Sequence, residues 1–226
     1  MWHNFSCVTD QPVITSAHIN LEVIFMTPLQ KDPMKPEAIV RAAIHVFARD
    51  GVEKGKIADI AREANIGKGT VYEYFSSKEE IFHAIVHTVI SDMVDATEKL
   101  FAMELSPREK LLTFMRMNTE IIFEMDEAML IMTEIWAQSA RAIKRGEHER
   151  TGLYDGFDKL RALVTDVLKD GVIAGEFREM NFDGVTTLCL AFIDGFVYQY
   201  MLTKDEEKFE QALVEGIHSF MKGLER

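Results

Sequence analysis

Apolar residues recur along most of the chain at the three- and four-residue spacing of α-helices. Pro36 can open the first helix, and Gly51 can end it. Between them, the apolar residues share one helical face: Ile39, Ala43, Val46 and Phe47. Alternating, strand-like runs are almost absent after residue 30. The pattern therefore predicts an all-α protein.

Capping signals divide the chain into about nine helices. Ser77 and Glu80 form a capping box for a long helix that continues to about Phe101. Later helix starts are predicted at Ser106, Asp126, Glu149, Asp183 and Thr203. We expect a small domain of three helices over residues 34–80, followed by a larger helical domain over residues 81–226.

The first 33 residues do not follow this pattern. They mix β-branched and turn-forming residues without a helical period. We interpret residues 1–33 as a flexible arm, or as an extension translated from a start upstream of the native one, with Met26 and Met34 as alternative starts. A short strand that packs on the body is the other interpretation.

Composition indicates a folded protein of the cell interior. Apolar residues make up 47% of the 226 residues, enough for one large or two modest domains with a core. The two cysteines, Cys7 and Cys189, are too few and too far apart for a disulfide framework, which favours a reducing compartment. Neither a long apolar run nor a secretory signal is present. We expect a soluble cytoplasmic protein without a membrane partner.

The net charge of −12 is unevenly distributed. Residues 35–78 carry eight basic and six acidic side chains, a local charge of +2, so the other 182 residues carry −14. A polyanion would therefore orient the molecule with the small domain inward, although a charge of +2 is modest.

The segment IADIAREANIGKGTVYEYFSSKEEIF, which starts at Ile57, contains a sequence similar to a phosphate-binding loop. Such a loop needs a glycine, four further residues and then Gly-Lys-Ser/Thr, so that backbone amides surround the phosphates. Neither GVEKGKI nor GKGT has this spacing, and no hydrophobic strand leads into either one. A nucleotide site is therefore not expected.

Two short helices, over roughly residues 57–64 and 68–74, fit the same segment as a helix-turn-helix. Asn65 tolerates the left-handed backbone of the turn. Three apolar residues of the second helix face inward: Ile66, Val71 and Phe75. Its outer side and first turn present groups suited to DNA: Lys68, Gly69, Thr70, Tyr72 and Tyr74. Lys56 and Lys78 bracket the two helices as further phosphate contacts.

Each member of this DNA-binding set has a predicted role. Lys68 can reach guanine acceptors or a phosphate, and Tyr72 can cover a thymine methyl group. Gly69 lets the backbone approach a base edge. Thr70 and Tyr74 can donate hydrogen bonds to phosphates. The helix would therefore both position the protein and read sequence.

The motifs IVRAAIHVFARDG and IADIAREANIGKGTVYEYFSSKEEIFHAIV resemble the amino-terminal domain of the TetR family of bacterial transcriptional repressors. The resemblance spans about Ile39 to Val86. It implies a homodimer of nine- or ten-helix subunits, with a small DNA-binding head and a divergent body that binds an effector. Two positions depart from the family: Gly55 and Lys56 replace the usual capping Thr or Ser, and Asn65 replaces the usual turn Gly. We therefore expect a repressor that binds a palindromic double-stranded DNA operator and is released by a lipophilic small molecule.

The middle helices hold most of the methionine and aromatic residues, a pattern typical of a core but also of an effector pocket. Asn118 favours a pocket, because it falls on the apolar line of Phe114 and Ile121, where a buried amide needs a partner. The predicted effector-binding residues are Phe114, Asn118, Met132, Trp136 and Tyr154. The alternatives for Asn118 are a satisfied core amide and a helix-edge position.

The last two helices carry apolar stripes that predict a dimer interface, since two such helices per subunit can form a four-helix bundle. The predicted interface residues are Leu188, Phe192, Phe196, Leu213, Ile217 and Phe220. The alternative is that these stripes pack inward within one subunit.

Catalytic and metal chemistry find little support in the chain. His83 and His87 lie one helical turn apart, but no third ligand can be named, so a surface or packing pair is the better interpretation. Nucleophile and dinucleotide motifs are absent, and we expect neither catalytic residues nor a cofactor. The alternative function is a helical protein of this fold that acts through a protein partner without sequence-specific DNA binding.

Overall fold

The computed structural model describes residues 35–124, 126–146, 153–203 and 206–226. The helices of this part of the chain are α1 (Lys35–Asp50), α2 (Ile57–Glu63), α3 (Lys68–Tyr74), α4 (Lys78–Phe101), α5 (Pro107–Glu124), α6 (Asp126–Lys144), α7 (Leu153–Ile173), α8 (Phe182–Thr203) and α9 (Glu206–Leu224). The all-α prediction is confirmed. The predicted amino-terminal arm lies outside the described residues.

Helix starts follow the capping signals closely. The hydroxyl of Ser77 accepts a hydrogen bond from the Glu80 amide at 3.1 Å. The Glu80 carboxylate in turn accepts from the amide and hydroxyl of Ser76, at 2.7 and 2.6 Å, and these bonds lower its pKa. Ser106 and Glu109 cap α5 reciprocally. Thr203 is the last residue of α8 and α9 is described from Glu206, so the start predicted at Thr203 falls on residues 204–205, outside the described residues.

The buried apolar residues form two clusters. The first, here called the head cluster, joins the cores of α1 to α3 and α4 as far as Val94 to residues of α6 and α7 that include Ile131, Ile135 and Leu160. The second, the body cluster, contains the end of α4 and residues of α5, α7, α8 and α9, among them Phe114 and Cys189. Because α4 and α7 contribute to both clusters, they connect the head to the body.

Three contacts fix how α4 and α8 pack against α7. At Gly156 of α7, an added Cβ would overlap the Ile90 side chain of α4, so only glycine permits this close approach. Between α7 and α8, the hydroxyls of Thr165 and Thr186 share a hydrogen bond of 2.8 Å. Arg161 also donates to the Thr187 hydroxyl at 2.9 Å. The positions of α4 and α8 in the body are therefore both set by contacts with α7.

Helix α6 packs on α1 of the head. Ile131 and Ile135 are buried in the head cluster, and Met132 and Trp136 are partly buried against it. The apolar side of α6 therefore packs on the head, which gives the body a contact with the head besides those of α4 and α7.

Candidate DNA-binding surface and effector cavity

The turn between α2 and α3 has the predicted geometry. Asn65 has a positive φ of 55°, in the left-handed region that Asn tolerates better than most side chains. The Ile66 amide closes the turn on the Ala61 carbonyl at 2.9 Å. Ile60 of α2 and Val71 of α3 are fully buried beneath it. The prediction for this turn is confirmed, and it holds α3 firmly against the head.

Helix α3 presents the predicted DNA-binding residues outward. Tyr72 and Tyr74 are 49% and 41% exposed, unusual values for large aromatic side chains on a small domain. Lys68 is exposed, with its ammonium 5.7 Å from the centre of the Tyr72 ring. A Cβ added at Gly69 would meet nothing within 4 Å, so this part of the backbone is open to a partner. Thr70 is half-buried.

The two flanking lysines differ in their surroundings. Lys56 is exposed at the N-cap of α2 and makes no side-chain cap. Lys78 is half-buried and donates to the Glu53 carbonyl at 2.7 Å, so it also holds the loop before α2 against α4. Gly55 is buried, and a Cβ there would lie 2.7 Å from the Phe47 ring. Packing against Phe47 therefore explains the glycine next to the unusual cap.

A cavity of about 30 Å³ lies where the head and body clusters meet. Its walls come from α4, α5, α7 and α8 and consist of Met93, Phe114, Asn118, Phe157, Leu160, Leu190, Ile193 and Asp194. This volume suits one or two water molecules, so a larger molecule could enter only if the surrounding helices moved apart.

The predicted effector residues divide between two places. Phe114 and Asn118 line the cavity. Met132 and Trp136 instead pack on the head cluster, because α6 covers α1. The side chain of Tyr154 lies outside the described residues. Sequence reasoning missed the other wall residues, and the apolar ones come from helices whose relative position no local pattern reveals.

Two polar side chains line the cavity. Asn118 is 8% exposed, and its amide nitrogen donates one hydrogen bond to the Phe114 carbonyl at 2.8 Å, which leaves its oxygen as an acceptor and its second N–H as a donor. Burial raises the pKa of the Asp194 carboxyl to about 6. Asp194 is the lone acid of residues 184–203 of α8, a signal that could have identified it from the sequence.

The predicted dimer residues fall on different sides of α8 and α9. Leu188 is 60% exposed, whereas Leu213 and Ile217 are 4% and 2% exposed and belong to the body cluster. Phe192 stacks on Phe196 and Phe220, with ring centres 5.7 and 6.4 Å apart. These three rings are half-buried against the body cluster.

A different set of α8 residues faces outward. Tyr198 and Leu202 are 51% and 71% exposed. Together with Leu188 they continue a line at alternating three- and four-residue steps: Leu188, Ala191, Gly195, Tyr198 and Leu202. We call this line the α8 seam. Helix α8 is therefore apolar both toward the body and toward solvent.

The described residues contain no helix long and apolar enough to cross a membrane. Across the same ranges, the acids, histidines and cysteine form no group of three that could hold a metal ion. His83 and His87 are both exposed on α4.

A short helix pair with an outward second helix, carried on a helical body, defines the helix-turn-helix class of regulators. Residues 39–85 match the family model described as bacterial regulatory proteins, tetR family. Residues 107–222 match the model for the carboxy-terminal domain of BetI-type transcriptional repressors. The chain belongs to the TetR family of bacterial transcriptional regulators.

Individual relatives agree with this assignment over nearly their whole length. The fatty acid metabolism regulator protein of Bacillus subtilis is 23% identical over 84% of this chain and 98% of its own. The structure of the regulator FadR from Bacillus subtilis in complex with stearoyl-CoA has a TM-score of 0.70 at 17% identity, covering 83% of this chain and 98% of that one. A Saccharomonospora viridis protein in complex with choline has a TM-score of 0.72 at 20% identity, covering 84% and 98%. These two structures share the fold.

Proposed function

We propose that the protein is a repressor that binds a palindromic operator as a homodimer and leaves it when a small lipophilic molecule binds the body. The proposal rests on the position of the cavity at the junction of the head and body clusters. A molecule bound there would act on the same helices that position the DNA-binding surface.

DNA recognition is assigned to α3. Lys68 and Tyr72 are exposed side by side and would contact base edges in the major groove. Tyr74, Lys56 and the half-buried Thr70 would contact the phosphate backbone. The cation–π contact between Lys68 and Tyr72 holds the ammonium close to the ring before DNA arrives, so less side-chain entropy is lost on binding.

The second copy is assigned to the α8 seam. A helix that is apolar on two opposite sides is typically buried on both, and the body covers one of them. Ala191 and Gly195 at the middle of the seam would let two helices approach closely. A two-fold axis there would carry two copies of α3 into successive major grooves, about 34 Å apart.

Release from DNA would come from opening the cavity. Its walls come from α4, α5, α7 and α8, so a larger ligand would have to move these helices apart. Helix α4 starts at the Ser77 cap directly after α3, so a shift of α4 near Met93 changes the orientation of the head. The ligand can weaken DNA binding only by its preference for the opened state, typically about 1–3 kcal/mol.

The relatives support an effector of low molecular weight. One is named for fatty acid metabolism, and two neighbours of the same fold are complexes with stearoyl-CoA and with choline. Each of those two neighbours therefore binds an organic ligand within the same fold.

The DNA-binding part of the proposal is tested with the DNA upstream of the coding region. We expect a footprint with two-fold symmetry and an affinity that falls steeply with salt. A Lys68→Ala/Tyr72→Ala variant should lose about 100-fold or more in specific affinity, because two base contacts per subunit are removed from exposed positions. Lys99→Ala, an exposed lysine at the far end of α4, is the matched control. Unchanged footprints for the double variant would refute the assignment of α3, and the absence of any salt-dependent DNA affinity would favour a protein partner instead.

A further inference from the structure

We infer that the effector is a lipophilic ammonium compound, whose cationic nitrogen is held between Asp194 and Asn118. This inference rests on the proposed function, since it names the chemical class of ligand for the same cavity.

The polar groups of the cavity offer acceptors. The Asn118 nitrogen donates one of its two hydrogens to the Phe114 carbonyl at 2.8 Å, which leaves the amide oxygen as an acceptor and one N–H as a donor. Asp194 contributes a carboxylate that forms no ion pair or hydrogen bond with any of the described residues, and burial alone raises its pKa. Two acceptors on facing helices, α5 and α8, match a ligand that brings donors and positive charge.

The rest of the wall suits the same ligand. Phe114 and Phe157 line the cavity, and the face of an aromatic ring attracts a cation that has lost its water. Met93, Leu160, Leu190 and Ile193 supply an apolar surface for alkyl groups. The combination of one carboxylate, two aromatic rings and aliphatic walls is the chemistry that recognises alkylammonium groups.

Anionic lipids fit this wall poorly. None of the eight wall residues is basic. A carboxylate or phosphate brought into the cavity would face Asp194 without a compensating cation, and like charges in a desolvated site repel strongly. An acyl-CoA, as in one structural neighbour, would therefore need a different site from this one.

The carboxylate also has a cost for folding that a binding role would explain. An unpaired acid in an apolar wall destabilises the folded state when it is ionised, and a neutral amide in its place would cost less. A cation that binds beside it would recover this energy only in the liganded state.

The test compares three probes of equal chain length: decylammonium, decanol and decanoate, each below its critical micelle concentration. Binding is measured by calorimetry at pH 8, where Asp194 is ionised. We expect decylammonium to bind the wild-type protein at least about tenfold more tightly than the other two. Asp194→Asn should reduce its affinity about ten- to hundredfold, because the charge-assisted contact is removed, and should leave decanol unchanged.

Asp183→Asn is the matched control, since it removes one negative charge from the same helix at a position that is 86% exposed. It should bind decylammonium like the wild type. Equal binding of the three probes, an equal loss in both variants, or no binding of decylammonium would each overturn the inference. Operator binding by the ligand-free protein is measured in parallel, so failure of the ligand class is distinguished from failure of the proposed repressor.

Discussion

The α3 surface and the effector cavity present their polar groups in opposite ways. On α3, Lys68 and Tyr72 project into solvent above a fully buried Val71. In the cavity, Asn118 and Asp194 line a gap between two apolar clusters. Outward polar groups cost little in folding free energy, whereas inward ones must find partners. The head therefore presents its polar groups on a well-packed surface, whereas the body contains a small cavity, which we propose is completed by a ligand.

The largest effect is expected from charges on the α8 seam, the surface through which the two subunits meet in the proposed dimer. Leu188→Glu/Leu202→Glu should convert the protein to monomers and abolish tight operator binding, because like charges would face each other across the two-fold axis. Sedimentation and circular dichroism would measure assembly and folding separately. Ile173→Glu, at an apolar position that is 84% exposed on α7, should remain dimeric. A monomeric wild type would show that the seam has another use.

The next effect concerns Asp194 and folding. The pKa of the Asp194 carboxyl is about 6 in the folded protein, above its ordinary value of 3.8. The protonated carboxyl therefore makes its full contribution to the stability of the folded state below about pH 4, and this contribution is lost as the pH rises through about 6. Asp194→Asn should therefore increase the free energy of unfolding of the ligand-free protein at pH 8, by up to about 3 kcal/mol, and much less at pH 4.

Denaturant titrations at the two pH values would measure this difference. Burial and Asp95 also raise the pKa of Asp92, but Asp92 is present in both proteins and its effect cancels in the comparison. Asp183→Asn should show no comparable gain. A variant that is less stable than the wild type at pH 8 would mean that Asp194 has a stabilising partner.

A smaller effect contrasts two glycines. Gly156→Ala should lower the free energy of unfolding by about 1–3 kcal/mol, because the new methyl group would overlap Ile90 at the contact of α7 with α4. Gly69→Ala meets nothing within 4 Å and should be neutral or stabilising by up to about 1 kcal/mol. Thermal unfolding measures both.

The two glycine variants should also separate in function. Gly69→Ala should weaken operator binding despite its stability, because the backbone of α3 could no longer approach the DNA as closely. If both substitutions destabilised the protein equally, α3 would be packed more tightly than its surroundings indicate.

The head was largely predictable because its determinants are local. Asn65 at the turn and the Ser77–Glu80 cap each act within four residues, so the sequence pattern contains both partners. The inward and outward sides of α3 follow from helical spacing alone.

The body was less predictable because its determinants depend on which helices meet. Trp136 was expected near an effector, but α6 is used to cover α1. Leu213 and Ile217 share an apolar stripe that fits a dimer or a core equally well, and their burial in the subunit shows that the core uses them. Asp194 becomes meaningful only when α5 and α7 close around it.

The central claim is that the cavity and the DNA-binding surface are coupled through α4. The direct measurement is the affinity of decylammonium with and without saturating operator DNA, together with operator affinity with and without saturating decylammonium. We predict that each ligand weakens the other by the same factor, in the range of about 5 to 150. Affinities for decylammonium that are equal with and without operator would contradict the claim, and would show that a molecule bound in this cavity does not regulate DNA binding.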